Sequence, residues 1–372
     1  METFQMVCPC LLGVEGLVAE ELRKMDAQDV TPENGRVVFT GDEHILTRAN
    51  IWSRYSERVL VLLGTFEART FEQLFQGVKA LPWERWIGKK DIFPVKGRSL
   101  SSKLSSVPDC QKIIKKAIVE RLKQTYHVDW FEESETLYQV QFLLLKDRVS
   151  VMLDTSGAGL HKRGYRANAT EAPIKETLAA AMAYLSRVRR DGTVLDPFCG
   201  SGTILIEAAL YAMNIAPGMR RNFAAENWDQ IDSKVWQQEK ERAMDLVCRD
   251  AQFCGFGYDI DSAAVALTLE NAKKAGVISH IRAQKRDIKD FQLEGDRGYV
   301  ITNPPYGERL LDIRQAEDLY RTMGRVFERR PMWSYTVISP DESFESCFGR
   351  KADRRRKLYN GMIKCQLYAY FK

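Results

Sequence analysis

From Gly192 to its end, the chain alternates apolar segments of strand length with helical segments, and no other feature restricts its fold as much. This order is typical of a parallel, doubly wound α/β sheet. In such sheets ligands bind beyond the carboxyl ends of the strands, so the residues that end each strand are the first candidates for a site. The predicted strands are 193–198, 256–260, 281–287, 298–303 and 334–339.

The first of these strands runs through the turn VLDPFCGSGT into an apolar helix. Gly200 and Gly202 would let the backbone approach a ligand at the start of that helix. The spacing excludes two nucleotide-binding loops, because Thr203 follows Gly202 where a P-loop has lysine, and Leu205 stands where a dinucleotide fingerprint has a small residue. S-adenosylmethionine carries no phosphate and needs close backbone approach and a carboxylate for its cationic part, which Asp196 would supply. The alternative is a glycine turn capped by this aspartate.

The next two predicted strands end in the acidic segments GYDID and KRDIKDF. Asp259 is placed to accept hydrogen bonds from the two hydroxyls of a ribose, as in other doubly wound nucleotide sites. Asp261 is predicted to cap the following helix. Asp287 either accepts from an adenine amino group, beside the aromatic Phe291, or caps a helix.

The fourth strand ends in ITNPPYGERL, which is the most informative segment of the chain. Two prolines stiffen the backbone and leave the carbonyls of Asn303 and Pro304 as acceptors. An exocyclic amine of a nucleobase needs such acceptors, because hydrogen bonds from its two N–H groups favour a more nucleophilic nitrogen. Tyr306 would stack on the base. The segment therefore predicts transfer of a methyl group to a planar amine, and a rigid turn that only closes a strand is the alternative.

The front half of the chain predicts two smaller α+β units. The first has strands at 4–10, 36–40 and 58–66 and helices at 14–25 and 43–53. The second has helices at 71–81 and 108–126 and strands at 91–98, 136–145 and 148–154.

The helix predicted at 108–126 has an apolar face with Ile114, Ile118 and Leu122. Its other face carries Lys112, Lys115, Lys116 and Lys123. A lysine face often contacts only water. Arg98, Lys103 and the serines of SLSSKLSS lie close in sequence, and such donors favour contacts to a nucleic-acid backbone.

The composition of the chain restricts the class of protein and its expected location in the cell. The chain lacks an apolar run of membrane length, and METFQMVCPC lacks the pattern of a signal peptide, so the expected location is the cytoplasm. The eight cysteines form no CxxC pair and have no nearby histidine pair at zinc spacing, so reduced thiols and no metal are expected. A net charge of +5 permits a polyanionic partner without requiring one.

In this order, DPFCGSGT, GYDID and NPPYG resemble the class I RNA methyltransferases that modify guanine at N2. The front half is similar to that family's ferredoxin-like domain followed by a THUMP domain, whose serines leading into a basic helix match SLSSKLSSVPDCQKIIKKAIVERL. HKRGYR resembles the segment between THUMP and catalytic domains, and APIKETLAAAM resembles the first helix of the cofactor pocket. The large-subunit (23S) ribosomal RNA guanine-N2 methyltransferases are the most similar group, and the resemblance covers nearly the whole chain.

The resemblance implies a ferredoxin-like domain at 1–66, a THUMP RNA-binding domain at 67–165 and a Rossmann-like class I methyltransferase domain, with a seven-stranded and mostly parallel sheet, at 166–372. It implies S-adenosylmethionine as cofactor and large-subunit ribosomal RNA, or its assembly intermediate, as partner, with neither membrane nor metal. Implied cofactor residues are Asp196, Phe198, Gly200, Gly202, Thr203, Asp259, Ile260, Asp287, Ile288 and Asn303. Implied catalytic residues are Asn303, Pro304, Pro305 and Tyr306. Implied RNA contacts are Arg98, Lys103, Lys112, Lys115, Lys116, Lys162, Arg163 and Arg166.

Two later segments complete the prediction. Residues 216–250 are longer than an ordinary connection and predict a helical insertion near the mouth of the pocket. The basic run 350–357 leads into a hairpin that turns at Asn360-Gly361. Its charge would either bind phosphate or protect an exposed edge strand.

The residues leave several functions open. They do not distinguish guanine from adenine, or ribosomal from transfer RNA, so a tRNA guanine-N2 methyltransferase is an alternative. An Asn-Pro-Pro-Tyr corner suits any planar amine, which leaves a DNA adenine or protein glutamine methyltransferase as enzymatic rivals. A non-catalytic RNA-binding module with a vestigial pocket is the third class.

Overall fold

The computed structural model describes residues 3–166, 173–306 and 313–371. Several segments quoted above lie partly outside these residues, with Met1 of METFQMVCPC, Ala172 of APIKETLAAAM and Gly307 of NPPYG among the residues not described. Within the described part of the chain, no helix is both long enough and apolar enough to cross a membrane.

The front half forms one sheet of seven strands in the order β2-β3-β1-β4-β7-β6-β5. The strands are β1 (Phe4–Pro9), β2 (Gln28–Glu33), β3 (Arg36–Gly41), β4 (Leu60–Glu67), β5 (Val95–Leu100), β6 (Val140–Leu145) and β7 (Arg148–Asp154). The helices are α1 (Glu15–Lys24), α2 (Glu43–Trp52), α3 (Phe71–Lys79) and α4 (Val107–Tyr126). Two units were predicted here, but β4 pairs antiparallel with β7 over almost its whole length, so both units share one continuous sheet.

Strand β2 was missing from the prediction because its residues carry no apolar alternation. All but one of them are exposed. Its backbone is also irregular, with a positive φ at Asp29 and a register shift between Gln28 and Thr31. Polar residues and bulges are common in the edge strands of sheets, because they disfavour pairing with a strand of another chain.

The C-terminal sheet also has seven strands, in the order β10-β9-β8-β11-β12-β14-β13. The strands are β8 (Thr193–Asp196), β9 (Cys254–Asp259), β10 (Ile281–Lys285), β11 (Gly298–Thr302), β12 (Trp333–Ser339), β13 (Arg354–Asn360) and β14 (Ile363–Tyr370). The first five pair in parallel, and β14 pairs antiparallel with both β12 and β13. The predicted Rossmann-like sheet is confirmed. Its helices are α5 (Glu176–Leu185), α6 (Thr203–Ala212), α7 (Ser233–Asp245), α8 (Ser262–Ala275), α9 (Ile313–Val326) and α10 (Phe344–Phe348).

Strand β8 lies at the centre of the five parallel strands. The chain adds β9 and β10 on one side of it and then crosses to β11 and β12 on the other. The direction of winding therefore reverses between β8 and β11. At such a reversal the connections leave on opposite faces, which opens a crevice at the carboxyl ends of the two strands.

Helices α5 and α6 join the two halves. Their sequences, ETLAAAMAYL and TILIEAALYA, are so apolar that nearly every residue of both helices is buried. One cluster of buried side chains runs from Met6 and Phe39 of the front sheet through Leu178 of α5 to Leu205 of α6. The front half and the C-terminal sheet therefore share a hydrophobic core.

The insertion at 216–250 was predicted near the mouth of the pocket, and this prediction was wrong. Its helix α7 packs beside α2, where Glu239 accepts from Arg48 at 2.8 Å. Trp228 stacks on Tyr138 with 4.7 Å between ring centroids. The aromatic and charged side chains of the insertion thus attach the C-terminal sheet to the front half.

Candidate active site

The glycine turn connects the end of β8 to the start of α6. Gly202 has φ 77° and caps α6. An added Cβ at Gly202 would lie 2.8 Å from Cγ2 of Thr268, so the position excludes a side chain for two independent reasons. The Thr268 hydroxyl donates to the Gly200 carbonyl at 2.9 Å, and the Asn271 amide donates to the Ser201 carbonyl at 2.9 Å. Helix α8 therefore fixes the shape of the turn.

Asp196 ends β8 and is buried. Its carboxylate accepts from the Thr302 hydroxyl at 2.7 Å and from the Phe198 amide at 3.2 Å. Burial raises the pKa of this carboxyl to about 7, against the two hydrogen bonds, which lower it. The group is thus close to its midpoint at neutral pH and would gain from a nearby cation.

The end of β9 carries three neighbouring residues with different roles. Asp259 accepts from the amides of Gly200 at 3.0 Å and Asp261 at 3.0 Å, which ties the ends of β8 and β9 together. Asp261 accepts from the Ala263 amide and caps α8, as predicted. Ile260 is 66% exposed and lines the cavity described below. A large apolar side chain open to water at this position is suited to contact a flat, apolar ligand face.

The residues after β10 correct one detail of the prediction. Asp287 accepts from the Lys289 amide at 2.9 Å and caps a short 3₁₀ turn, and it also lines the cavity with Ile288. Phe291, expected beside a bound adenine, is buried instead and packs edge-on against Tyr258 at 6.1 Å. It belongs to a buried cluster that also contains Phe327, whose ring centroid lies 5.3 Å away.

The Asn-Pro-Pro-Tyr corner follows β11 directly. The Oδ1 atom of Asn303 is buried and has no hydrogen-bond partner among the residues that the structure describes. An unpaired buried amide oxygen costs about 1–3 kcal/mol, which a ligand N–H would recover. Pro304 is buried, and the Tyr306 hydroxyl accepts from the Asn360 amide at 2.8 Å.

One cavity of about 960 Å³ joins these elements. The Asn-Pro-Pro-Tyr corner and the glycine turn line the same space. Of the predicted residues, the cavity is lined by Asp196, Phe198, Gly200, Thr203, Asp259, Ile260, Asp287, Ile288, Asn303, Pro304, Pro305 and Tyr306. Gly202 lies behind the wall, against Thr268.

The prediction missed the wall that faces the corner. Asp318, Leu319 and Thr322 of α9 line the cavity, as do Asn360 and Ile363 of the C-terminal hairpin. Helix α9 does carry a sequence signal, since its buried residues recur at helical spacing. These residues are Ala316, Tyr320 and Met323. The hairpin turns at residues 361–362, one position later than predicted, and Asn360 therefore ends β13.

The predicted RNA contacts divide into two groups. Exposed side chains are those of Arg98, Lys103, Lys112, Lys116 and Lys162. Arg163 is 4% exposed and donates to the carbonyls of Ser53, Arg54 and Leu160, so its prediction as an RNA contact was wrong.

Two further basic residues are also engaged by the protein itself. Lys115 lies 3.4 Å from the centroid of Phe93 and donates to Glu133 at 2.7 Å. Arg166 donates to Glu176 at 2.9 Å and to the Thr203 hydroxyl at 3.3 Å, below the start of α6. These contacts favour a structural role for both residues.

The basic run 350–357 is largely structural as well. Arg350 lies 4.8 Å from the centroid of Tyr370, and Arg355 pairs with Glu345. Arg356 donates twice to the Gly13 carbonyl. Arg354, by contrast, is exposed on the edge strand β13.

Three family models match the chain. Residues 5–60 match the RlmL ferredoxin-like domain, residues 68–154 match the THUMP domain, and residues 163–369 match the RMKL-like methyltransferase domain. The chain belongs to the RMKL-like methyltransferase family. Membership makes it a methyltransferase, and its C-terminal domain has the fold of the S-adenosylmethionine-dependent enzymes.

Relatives of this RMKL-like methyltransferase carry related names. It is 43% identical to the putative RNA methyltransferase YpsC of Bacillus subtilis (strain 168), over 100% of this chain and 97% of that protein. It is 33% identical to the ribosomal RNA large subunit methyltransferase K/L of Shewanella baltica (strain OS195), over 96% of this chain. The match spans 52% of that protein, about half its length. The solved structure of SMU.472, a putative methyltransferase complexed with SAH, is 41% identical over 100% of this chain and 98% of that one, with a TM-score of 0.94.

The cavity fits the cofactor that this fold implies. It combines a backbone-lined turn, a buried carboxylate at Asp196 and the exposed apolar face of Ile260. Among the described residues, no group of three or more histidine, cysteine or acidic side chains is arranged to hold a metal ion.

Proposed function

We propose that this methyltransferase modifies an exocyclic amine of a nucleobase in RNA, and that the amine is N2 of guanine in large-subunit ribosomal RNA. The observation that carries the proposal is the buried Oδ1 of Asn303, which has no hydrogen-bond partner among the described residues and belongs to a residue that lines the same cavity as the glycine turn. The names of the relatives support RNA as the substrate. A ribosomal substrate would place the enzyme in the cytoplasm.

The cofactor would lie along the ends of β8, β9 and β10. We assign its cationic part to Asp196, its ribose to Asp259 and the faces of its adenine to Ile260 and Ile288. Asp287 faces the same space. The remaining proposed contacts are Phe198, Gly200, Gly202, Thr203 and Asn303. When bound, S-adenosylmethionine supplies an electrophilic methyl group on a sulfonium.

The chain's own residues would orient the acceptor amine. Asn303 Oδ1 and the Pro304 carbonyl accept its two N–H groups, which draws the nitrogen lone pair out of conjugation with the ring. Pro305 stiffens the corner, and Tyr306 stacks on the base. No strong base is needed, because the amine proton becomes acidic as the new bond forms and can pass to water. A paired target must first leave its helix, which is least costly in loops and at ends.

The front half would bind RNA through its exposed cations. We propose contacts to phosphate from Arg98, Lys103, Lys112 and Lys116 within the THUMP domain at 67–165, and from Lys162 next to the methyltransferase domain at 166–372. The ferredoxin-like domain would occupy 1–66. These cations would position RNA without reading its sequence.

Replacing Gly202 with alanine should weaken cofactor binding at least about tenfold, because the positive φ and the contact with Thr268 force the turn to move. Calorimetric titration with S-adenosylmethionine measures the change. Gly349→Ala is the matched control, since Gly349 also has a positive φ, 74°, but its added Cβ would have no atom of the described residues within 4 Å. Equal affinity in Gly202→Ala and the native protein would show that the turn does not contact the cofactor.

Cofactor affinity should rise with pH through about 7, because ionised Asp196 attracts a cation and the protonated acid does not. Calorimetry at about pH 6 and about pH 7.5 tests this, with Asp196→Asn as the reference that lacks the titrating group. In the absence of cofactor, the folding stability has the opposite pH dependence. The pKa of Asp196 is about 7 in the folded chain, against an ordinary value of 3.8. The contribution of Asp196 to the free energy of unfolding is therefore greatest below about pH 3.8 and declines as the pH rises towards about 7. A native protein with the same pH profile as Asp196→Asn would refute the assignment.

The decisive experiment compares modified nucleosides from cells with and without the gene and maps the lost mark. Loss of N2-methylguanosine from large-subunit ribosomal RNA is expected, and an unchanged pattern at every RNA position would refute the substrate. Purified enzyme with labelled cofactor is then offered ribosomal RNA, transfer RNA, DNA and protein. Transfer to tRNA, to DNA adenine or to protein glutamine would select the corresponding alternative. A chain that binds no cofactor would be a binding module.

A further inference from the structure

The phenol of Tyr306 is held by the C-terminal hairpin. Its oxygen accepts from Asn360 Nδ2 at 2.8 Å, and Asn360 is the last residue of β13. Burial raises the pKa of the Tyr306 phenol, so the group stays neutral at physiological pH. The ring is therefore fixed at its far end by a residue more than fifty positions later in the chain.

Asn360 is itself placed by strand pairing. It pairs with Ile363 across the turn at the end of the hairpin, and both residues line the cavity. Met362, within the turn, is 96% exposed. Strand β13 is the edge strand of the sheet and has β14 as its neighbour on one side. The position of Asn360 therefore also depends on what contacts β13 from its other side.

The ferredoxin-like domain holds β13. Nε and Nη2 of Arg356 donate to the Gly13 carbonyl at 3.1 and 2.7 Å. Gly13 has φ 93°, and a Cβ there would lie 2.5 Å from the Lys357 carbonyl, so the loop after β1 touches the backbone of β13. A contact this close fixes the position of the β13 backbone relative to the Gly13 loop.

We infer that Asn360 is a positioning residue that orients the Tyr306 ring for the target base, and that the ferredoxin-like domain fixes the hairpin in this position through Arg356 and Gly13. The inference rests on the proposed function, because it assumes that Tyr306 contacts the base. It gives the front half a role in base positioning that is separate from RNA binding. A ring free to turn would still bind a base but would seldom present the amine in line with the methyl group.

A double-mutant cycle tests the contact. Asn360→Ala and Tyr306→Phe should each lower kcat about tenfold with unchanged cofactor affinity, and the double variant should be no slower than either single one. Tyr368→Phe is the matched control, since it removes a phenol on β14 that donates to the Asp341 carbonyl, away from the cavity. Multiplying losses in the double variant, or full activity in both single ones, would overturn the inference.

The support from the ferredoxin-like domain is tested on the strand itself. Arg356→Ala should lower kcat several-fold at saturating RNA, because β13 loses its attachment to the Gly13 loop. Arg354→Ala, on the same strand but exposed, should not. Equal kcat in both variants would remove the ferredoxin-like domain from the inference.

A spectroscopic measurement separates this inference from the proposed function. Tyrosine labelled with carbon-13 at Cζ gives one signal per residue, and the signal lost in Tyr306→Phe identifies Tyr306. Asn360→Ala should shift that signal whether or not RNA is methylated. If the native enzyme methylates no RNA and the signal still shifts, the proposed function fails and the Asn360–Tyr306 contact stands. A signal that stays in place refutes the contact.

Discussion

Asn303→Ala should lower methyl transfer by about a hundredfold or more while cofactor affinity stays unchanged, as expected when one oriented polar group is removed from a reacting site. The reason is the Oδ1 atom of Asn303, which is buried and, within the described part of the chain, has no hydrogen-bond partner. Alanine leaves the acceptor amine with only the Pro304 carbonyl. Single-turnover transfer of a labelled methyl group measures the loss, and calorimetry checks the cofactor.

Asn303→Asp is the matched variant, because it keeps an oxygen at the same position. It should retain considerably more activity than Asn303→Ala. Full activity in Asn303→Ala would show that the Asn-Pro-Pro-Tyr corner does not orient the amine. Equal loss in both variants would show that the amide nitrogen, rather than the oxygen, is what the site needs.

Arg163→Ala should lower the free energy of unfolding by about 3–5 kcal/mol, the range for breaking a buried ion pair on one side. Arg163 lies 3.5 Å from the carboxylate of Glu207, which is fully buried in α6, and it also satisfies three carbonyls. Alanine would leave Glu207 with the hydroxyl of Tyr165, at 3.0 Å, as its hydrogen-bond partner among the described side chains. Urea unfolding of the full chain measures the change.

The neighbouring Lys162 provides the control, because it is exposed. Lys162→Ala should change the free energy of unfolding by less than about 0.5 kcal/mol, and it should weaken RNA binding if our assignment is right. If Arg163→Ala kept the native free energy of unfolding and bound RNA more weakly, Arg163 would be an RNA contact after all, contrary to what its burial indicates.

The positions of the cofactor-side residues were predictable because a general rule connects them. Parallel strands end at one edge of the sheet, so Asp196, Asp259, Asp287 and Asn303 were expected together, and all four line one cavity. The rule needs only the order of strands, which apolar runs reveal. The prediction missed Asn360 because it placed this residue in the hairpin turn. In the structure β13 runs in the same direction as the parallel strands, so Asn360 ends a strand at the same edge of the sheet.

The basic residues were predicted less well for a physical reason. Sequence shows that a side chain is charged, but not which distant groups reach it. Lys115 lies on the polar side of α4 by helical spacing, yet Phe93 and Glu133 approach it from outside the helix. Arg163 stands next to exposed Lys162 in the chain, and only the packing of α6 against the front half buries it.

The pairing of β4 with β7 has a consequence for target selection. Because the strands are joined over almost the whole of β4, and both halves of the molecule share a core, the lysines of α4 cannot swing relative to the catalytic cavity. RNA gripped at those lysines would offer the cavity only a nucleotide at one fixed span from the grip. The enzyme would then select its target nucleotide by the distance, in the folded RNA, between that nucleotide and the phosphates bound at the lysines. The identity of the bases next to the target would have little effect on this selection.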